Sequence, residues 1–116
     1  MKHFRLDDMT RGWFVGDFSP AALRTEHTEV AVQQYKAGDH EARHVHKIAS
    51  EITLILGGRA RMCDQEWQHG DIVVLAPGEP TDFTALTDVT TVVVKSPSAP
   101  SDKYVLEPDE SSSPLS

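Results

Sequence analysis

The 116-residue chain is poor in cysteine, in positive charge and in long apolar runs, and each shortage closes off a class of protein. Its one thiol, Cys63, has no intrachain partner, so a disulfide scaffold is excluded and a reducing, cytoplasmic setting is expected. Cys63 reads as a small apolar strand residue rather than a nucleophile. Lys and Arg number 11 against 18 Asp and Glu, a net charge of -7. Phosphate binding needs clustered cations, whereas Arg43, Lys47, Arg59 and Arg61 are scattered among acids, so no nucleic-acid partner is expected. No segment approaches the ~20 apolar residues of a membrane span. The opening Met1-Lys-His-Phe-Arg-Leu-Asp-Asp turns acidic before an apolar signal segment forms, so no membrane association is expected either.

Helical periodicity is also missing. Apolar residues recur at a spacing of two, which predicts strands from Glu29 to Lys36, Arg43 to His46, Glu51 to Leu56, Arg59 to Cys63, Asp71 to Leu75, Asp82 to Leu86 and Val89 to Lys95. Turn signals separate them, among them Gly57-Gly58, His69-Gly-Asp and Pro77-Gly78. Trp67 falls on a further short strand and reads as packing. Such a series describes an antiparallel sandwich or barrel. Residues 1–28 read as an extended arm packed on that barrel through Trp13 and Phe18, with a single helical turn at Ser19-Pro-Ala-Ala-Leu. Residues 29–97 are the barrel. Residues 98–116 carry too little apolar surface to offset their ordering entropy, and a solvated tail is expected after about Pro108. A chain of this length is one domain, small enough that a second copy would add to its stability.

What is present is a concentration of metal-ligand side chains. In Gly38-Asp-His-Glu-Ala-Arg-His44-Val-His46-Lys-Ile-Ala-Ser-Glu51, the two histidines are two apart, so on a strand both imidazoles leave the same face. Neutral imidazole suits Zn, Fe, Mn, Ni and Cu, and Glu51 adds a hard oxygen that moves preference away from an all-thiolate structural zinc site. Two histidines and one carboxylate leave positions open for water or a ligand. The plainer reading is that His44 and His46 are surface strand residues and that Glu51 pairs with Lys47 or Arg43.

The stretch Gly38-x5-His44-x-His46-x4-Glu51-x6-Gly58 resembles the first motif of the cupins, and Gly70-Asp-Ile-Val-Val-Leu-Ala-Pro77-Gly78 resembles the start of their second. That second motif usually continues to a histidine and an asparagine, and here Thr81 and Ala85 stand in those places. The resemblance covers roughly Val30 to Pro97. It implies an all-β fold, the double-stranded β-helix jelly-roll barrel, with a pocket at one mouth and commonly a homodimer. It implies no particular activity, since this fold hosts enzymes and proteins that only bind.

Asp82 is the candidate for an additional ligand, although strand alternation puts it opposite Thr81 and Phe83. Glu79 is the other nearby acid, and His40 and His69 read as surface residues. Parity suggests a pocket lined by Tyr35, Thr53, Thr81 and Phe83, with Gln33 and Val94, a mixture suited to a small organic ligand. The expected function is binding of such a molecule at one divalent transition metal (Zn, Fe, Mn or Ni) held by His44, His46 and Glu51, with catalysis open and no general base evident. The alternative is a non-catalytic binding or sensory module for a sugar or small acid, with a degenerate metal site. A third is a structural dimer that keeps the motif as a turn scaffold.

Overall fold

The computed structural model describes residues 1–106. The tail expected after about Pro108 lies outside these residues. Among them there is one short 3-10 turn, Leu6–Asp8, and eleven strands in two sheets. The strands are β1 (Trp13–Gly16), β2 (Leu23–Arg24), β3 (Glu29–Tyr35), β4 (His40–Val45), β5 (Ser50–Gly57), β6 (Arg59–Met62), β7 (Gln65–Gln68), β8 (Ile72–Leu75), β9 (Pro80–Ala85), β10 (Val89–Ser96) and β11 (Tyr104–Val105). One sheet runs β2-β1-β3-β10-β5-β8 and the other β11-β4-β9-β6-β7.

The period of two explains how the sheets meet. Along β5 and β10, Glu51, Thr53, Ile55, Val89, Thr91 and Val93 are buried while their neighbours are not, so each strand turns one face inward. Ile55, Ala60, Met62, Phe83, Ala85 and Val89 form the core between the sheets, with Tyr35 and Trp67 packed on it. Trp67 also donates its indole N–H to Met62 O at 2.9 Å.

Several expectations change. The expected helical turn at Ser19–Leu23 is absent: these residues bend and enter β2, and the single turn sits at Leu6–Asp8 instead. The arm is more regular than expected, because β1 pairs antiparallel with β3 and parallel with β2. β4 begins at His40 rather than Arg43, since His40 and Glu41 pair with Thr84 and Phe83. Cys63 is exposed in a turn rather than on a strand: Cys63 and Asp64 take φ of 53° and 63°, the paired positive values of a two-residue hairpin turn joining β6 to β7. Composition also undervalued the stretch after Ser96. There β11 adds to β4, with Tyr104 opposite Val45 and Val105 opposite His44, so backbone pairing orders a segment with few apolar side chains.

Val94 does not line the interior. Strand pairing puts Val93 opposite Thr53 and Val94 opposite Ile52, and Ile52 faces outward. On that outer face the register aligns Val30, Val94, Ile52 and Val74 in one row, and Val32, Val92, Leu54 and Ile72 in the next. No charged side chain interrupts either row.

Candidate metal centre

The centre lies where the chain crosses from one sheet to the other. His44 is near the end of β4, His46 just beyond it, and Glu51 near the start of β5. One ligand atom from each lies within 4.8 Å of the others. All three residues are buried, at 4%, 5% and 9% exposure respectively, so the cluster is no solvated charge patch. Burial of this kind needs compensation by partners.

Hydrogen bonds determine which atoms are free. His44 Nδ1 donates to Ala42 O at 2.8 Å, and His46 Nδ1 donates to Asp102 O. A carbonyl only accepts, so in the neutral rings both protons sit on Nδ1 and both Nε2 atoms keep their lone pairs. Metal-ligating histidines are held this way by the bond their other nitrogen makes. His46 Nε2 stands 2.9 Å from Glu51 Oε1, yet that buried oxygen has no aligned hydrogen-bond donor. A lone pair and a carboxylate oxygen at this distance call for a cation between or beside them, a proton or a metal ion. The donor set, two imidazoles and one carboxylate, fits a divalent transition metal.

The titration behaviour follows from the same contacts. The Glu51 carboxylate beside His46 raises the histidine above its ordinary 6.5, outweighing its burial. Burial lowers His44, against the pull of its bond to Ala42. Burial, the largest single influence, would raise Glu51, but the contact with His46 and the nearby positive charges of His46, Lys95 and His44 together outweigh it and hold the carboxyl below 4.5.

The three ligands open into a cavity of about 390 Å³, also lined by Trp13, Gln33, Tyr35, Glu41, Val93, Lys95 and Lys103. A volume of this order admits a small organic molecule. Of the residues suggested by parity, Tyr35 and Gln33 line this cavity. Thr53, Thr81 and Phe83 lie deeper, around a space of about 20 Å³ that also touches His44 and Glu51. Thr81 pairs with His44 across β4 and β9, and its hydroxyl donates to Asp82 O at 2.9 Å. Asp82 is outside the three-residue cluster, and its carboxylate lies 3.4 Å from the Cys63 N–H. Glu79 is exposed and accepts the Ala76 N–H at 2.7 Å. His40 is exposed beside Thr84, and His69 is exposed as well.

Two neighbours of the centre were not found from sequence. Glu41 accepts the Tyr35 hydroxyl at 2.7 Å, and Tyr35 stacks on Phe83 with ring centroids 4.3 Å apart. Strict alternation sets Glu41 on the face opposite His44. A register shift between Glu41 and His44 brings both to the cavity. Asp102 is the second, and no local pattern links it to the motif 56 residues earlier.

No protein-family model matches the sequence, and no curated protein matches it. Solved structures do. A Klebsiella pneumoniae uncharacterised conserved protein with a double-stranded β-helix domain is 20% identical, with 91% of this chain and 92% of that one covered and a TM-score of 0.70. An RmlC-like cupin from Shewanella frigidimarina is 16% identical over 67% of this chain and 72% of its own, with a TM-score of 0.61. A Bacillus subtilis oxalate decarboxylase with Mn(II) centres is 20% identical over 75% of this chain, TM-score 0.63, although the match spans 28% of that larger protein. Together with the two-sheet topology, these likenesses establish the architecture: the chain has the double-stranded β-helix jelly-roll fold of the cupins.

Proposed function

We propose that the protein holds one divalent transition metal through His44 Nε2, His46 Nε2 and a Glu51 carboxylate oxygen, and binds a small organic molecule beside it. The observation that carries this reading is the pair of Nδ1–carbonyl bonds, which leaves both Nε2 lone pairs free at a buried carboxylate. A bound metal would supply Lewis acidity toward a carbonyl or carboxylate oxygen. The chain's own groups would orient the ligand: Tyr35 and Trp13 as walls, and Lys95 and Lys103 as cations facing an anionic group.

Glu41 favours chemistry over binding alone. It is a carboxylate in the same cavity, held by the Tyr35 hydroxyl, and it can accept a proton from a ligand polarised at the centre. Elemental analysis of untagged protein prepared without chelator tests the metal, and a screen of small organic acids with the loaded protein tests ligand and turnover. Less than about a tenth of an equivalent of metal, and no uptake on titration, would remove this reading.

The uncharged outer rows around Ile52 and Val74 support a homodimer. Ile52, Ile72 and Val74 are exposed by 38%, 61% and 62%, a contiguous apolar face rather than scattered side chains. A second copy would cover it without bringing the net negative charges of the two chains into direct contact.

A further inference from the structure

We propose that Asp102 is the positioning residue of this centre: a carboxylate from the C-terminal segment that fixes the turn carrying His46 and thereby the direction of its Nε2. The inference rests on the metal-binding reading above.

Between β4 and β5 the chain leaves one sheet before joining the other, so the backbone N–H groups of residues 47–49 have no strand partner. Left buried and unpaired, such groups are costly. Asp102 accepts all three: Oδ1 takes the Lys47 N–H at 2.8 Å, and Oδ2 takes the Ile48 and Ala49 N–H groups at 2.9 Å each. The same residue's main-chain carbonyl accepts His46 Nδ1–H. One residue thus holds the turn and orients the ring that the turn presents. Asp102 is 4% exposed, so the carboxylate that holds the turn is itself buried.

The segment around it is anchored to the other histidine's strand. Val105 pairs opposite His44, and Leu106 N–H donates to Arg43 O at 2.8 Å. Pro100 and Lys103 of this segment line the cavity. His44 is held differently, by Ala42 two residues away on its own strand. Loss of Asp102 should therefore loosen His46 and spare His44, a distinction that general destabilisation would not produce.

The test uses the full chain as wild type, Asp102→Asn and Asp102→Ala. Imidazole nitrogen chemical shifts, recorded without metal at a pH high enough that both rings are neutral, give each ring's tautomer, and zinc affinity is measured against a chromophoric chelator. The expected result is Nδ1–H at both histidines in wild type. In the variants His46 becomes a mixture of tautomers and His44 stays unchanged. Zinc affinity falls by the ~10–100-fold that loss of a ligand's supporting partner causes. If Asp102→Ala does not fold, Asp102→Asn decides, since it keeps one acceptor oxygen. Folded variants with wild-type tautomers and affinity would overturn the proposal, as would equal disturbance of His44 and His46. Zinc uptake by wild type with unchanged variant affinity removes the positioning role alone, whereas no uptake by wild type removes the centre itself.

Discussion

His46 Nε2 lies 2.9 Å from Glu51 Oε1 in a buried site, with the far nitrogen of the ring already committed to the Asp102 carbonyl. Without metal, a proton on Nε2 is what makes this contact favourable. A metal ion must displace that proton to bind. The competition gives the site its pH dependence.

For metal-free protein, His46 is raised above 6.5, so its contribution to stability is present below about that pH and is lost as pH rises through the raised value. Glu51 is lowered below 4.5, so its contribution is present above about that pH and is lost as pH falls through the lowered value. His44, lowered by burial, adds to the acid loss below 6.5, where the unfolded chain takes up the proton first. Urea midpoints across pH should therefore peak between these limits, and Glu51→Gln should abolish the fall on the alkaline side. An unchanged alkaline limb in the variant would show that the pair does not interact.

Metal affinity should run the other way on the alkaline side, rising with pH as His46 gives up its proton. His46→Ala leaves two protein ligands and should weaken binding by at least ~10–100-fold in a competitive chelator titration. Thr81→His places an imidazole beside His44 and Glu51, where it should tighten binding. Because the space there is only about 20 Å³, it should also cost roughly 1–3 kcal/mol of metal-free stability through crowding. Equal affinity in all three proteins would mean that no metal binds there.

Tyr35→Phe removes the hydroxyl that Glu41 accepts at 2.7 Å. Bonds to charged groups are worth ~1.5–3 kcal/mol, but the Glu41 side chain is 36% exposed and regains water, so a loss nearer ~1 kcal/mol is expected by urea denaturation. If the loaded protein turns over a ligand, Glu41→Gln should lower kcat by the ~10²–10⁴-fold of a lost proton acceptor while metal content stays the same. Undiminished kcat would remove Glu41 from the chemistry.

Gly58→Ala should be far more damaging than Gly38→Ala. Both glycines have positive φ, 84° and 94°, so alanine is strained at either, by ~1–2 kcal/mol. At Gly58 an added Cβ would also fall 2.0 Å from Asp88 O, while at Gly38 nothing lies within 4 Å. Thermal midpoints should separate the two variants clearly, and similar values would contradict the close approach of the Asp88 backbone.

Sedimentation of the wild-type chain should give a dimer that Val74→Lys converts to a monomer with metal affinity intact. Val74 faces outward in the uncharged row with Ile52, away from the cavity. A monomeric wild type at micromolar concentration would end the dimer reading.

The sequence by itself determined what depends on neighbouring residues. Period two makes strands, a spacing of two puts His44 and His46 on one side of the chain, and Gly58 marks the turn after Glu51, because side-chain direction and backbone freedom are local properties. Tertiary structure decided everything that depends on pairing. Val93 rather than Val94 faces the cavity because the register with β5 sets which parity is inward, and one residue of slip exchanges the faces. Glu41 reaches the centre because β4 shifts register between Glu41 and His44, and the run of residue types does not announce that irregularity. Asp102 joins the site across 55 residues from Lys47, at a distance in sequence where no periodicity carries information. Its role follows from three N–H groups left without strand partners, a need that arises only once both sheets are in place.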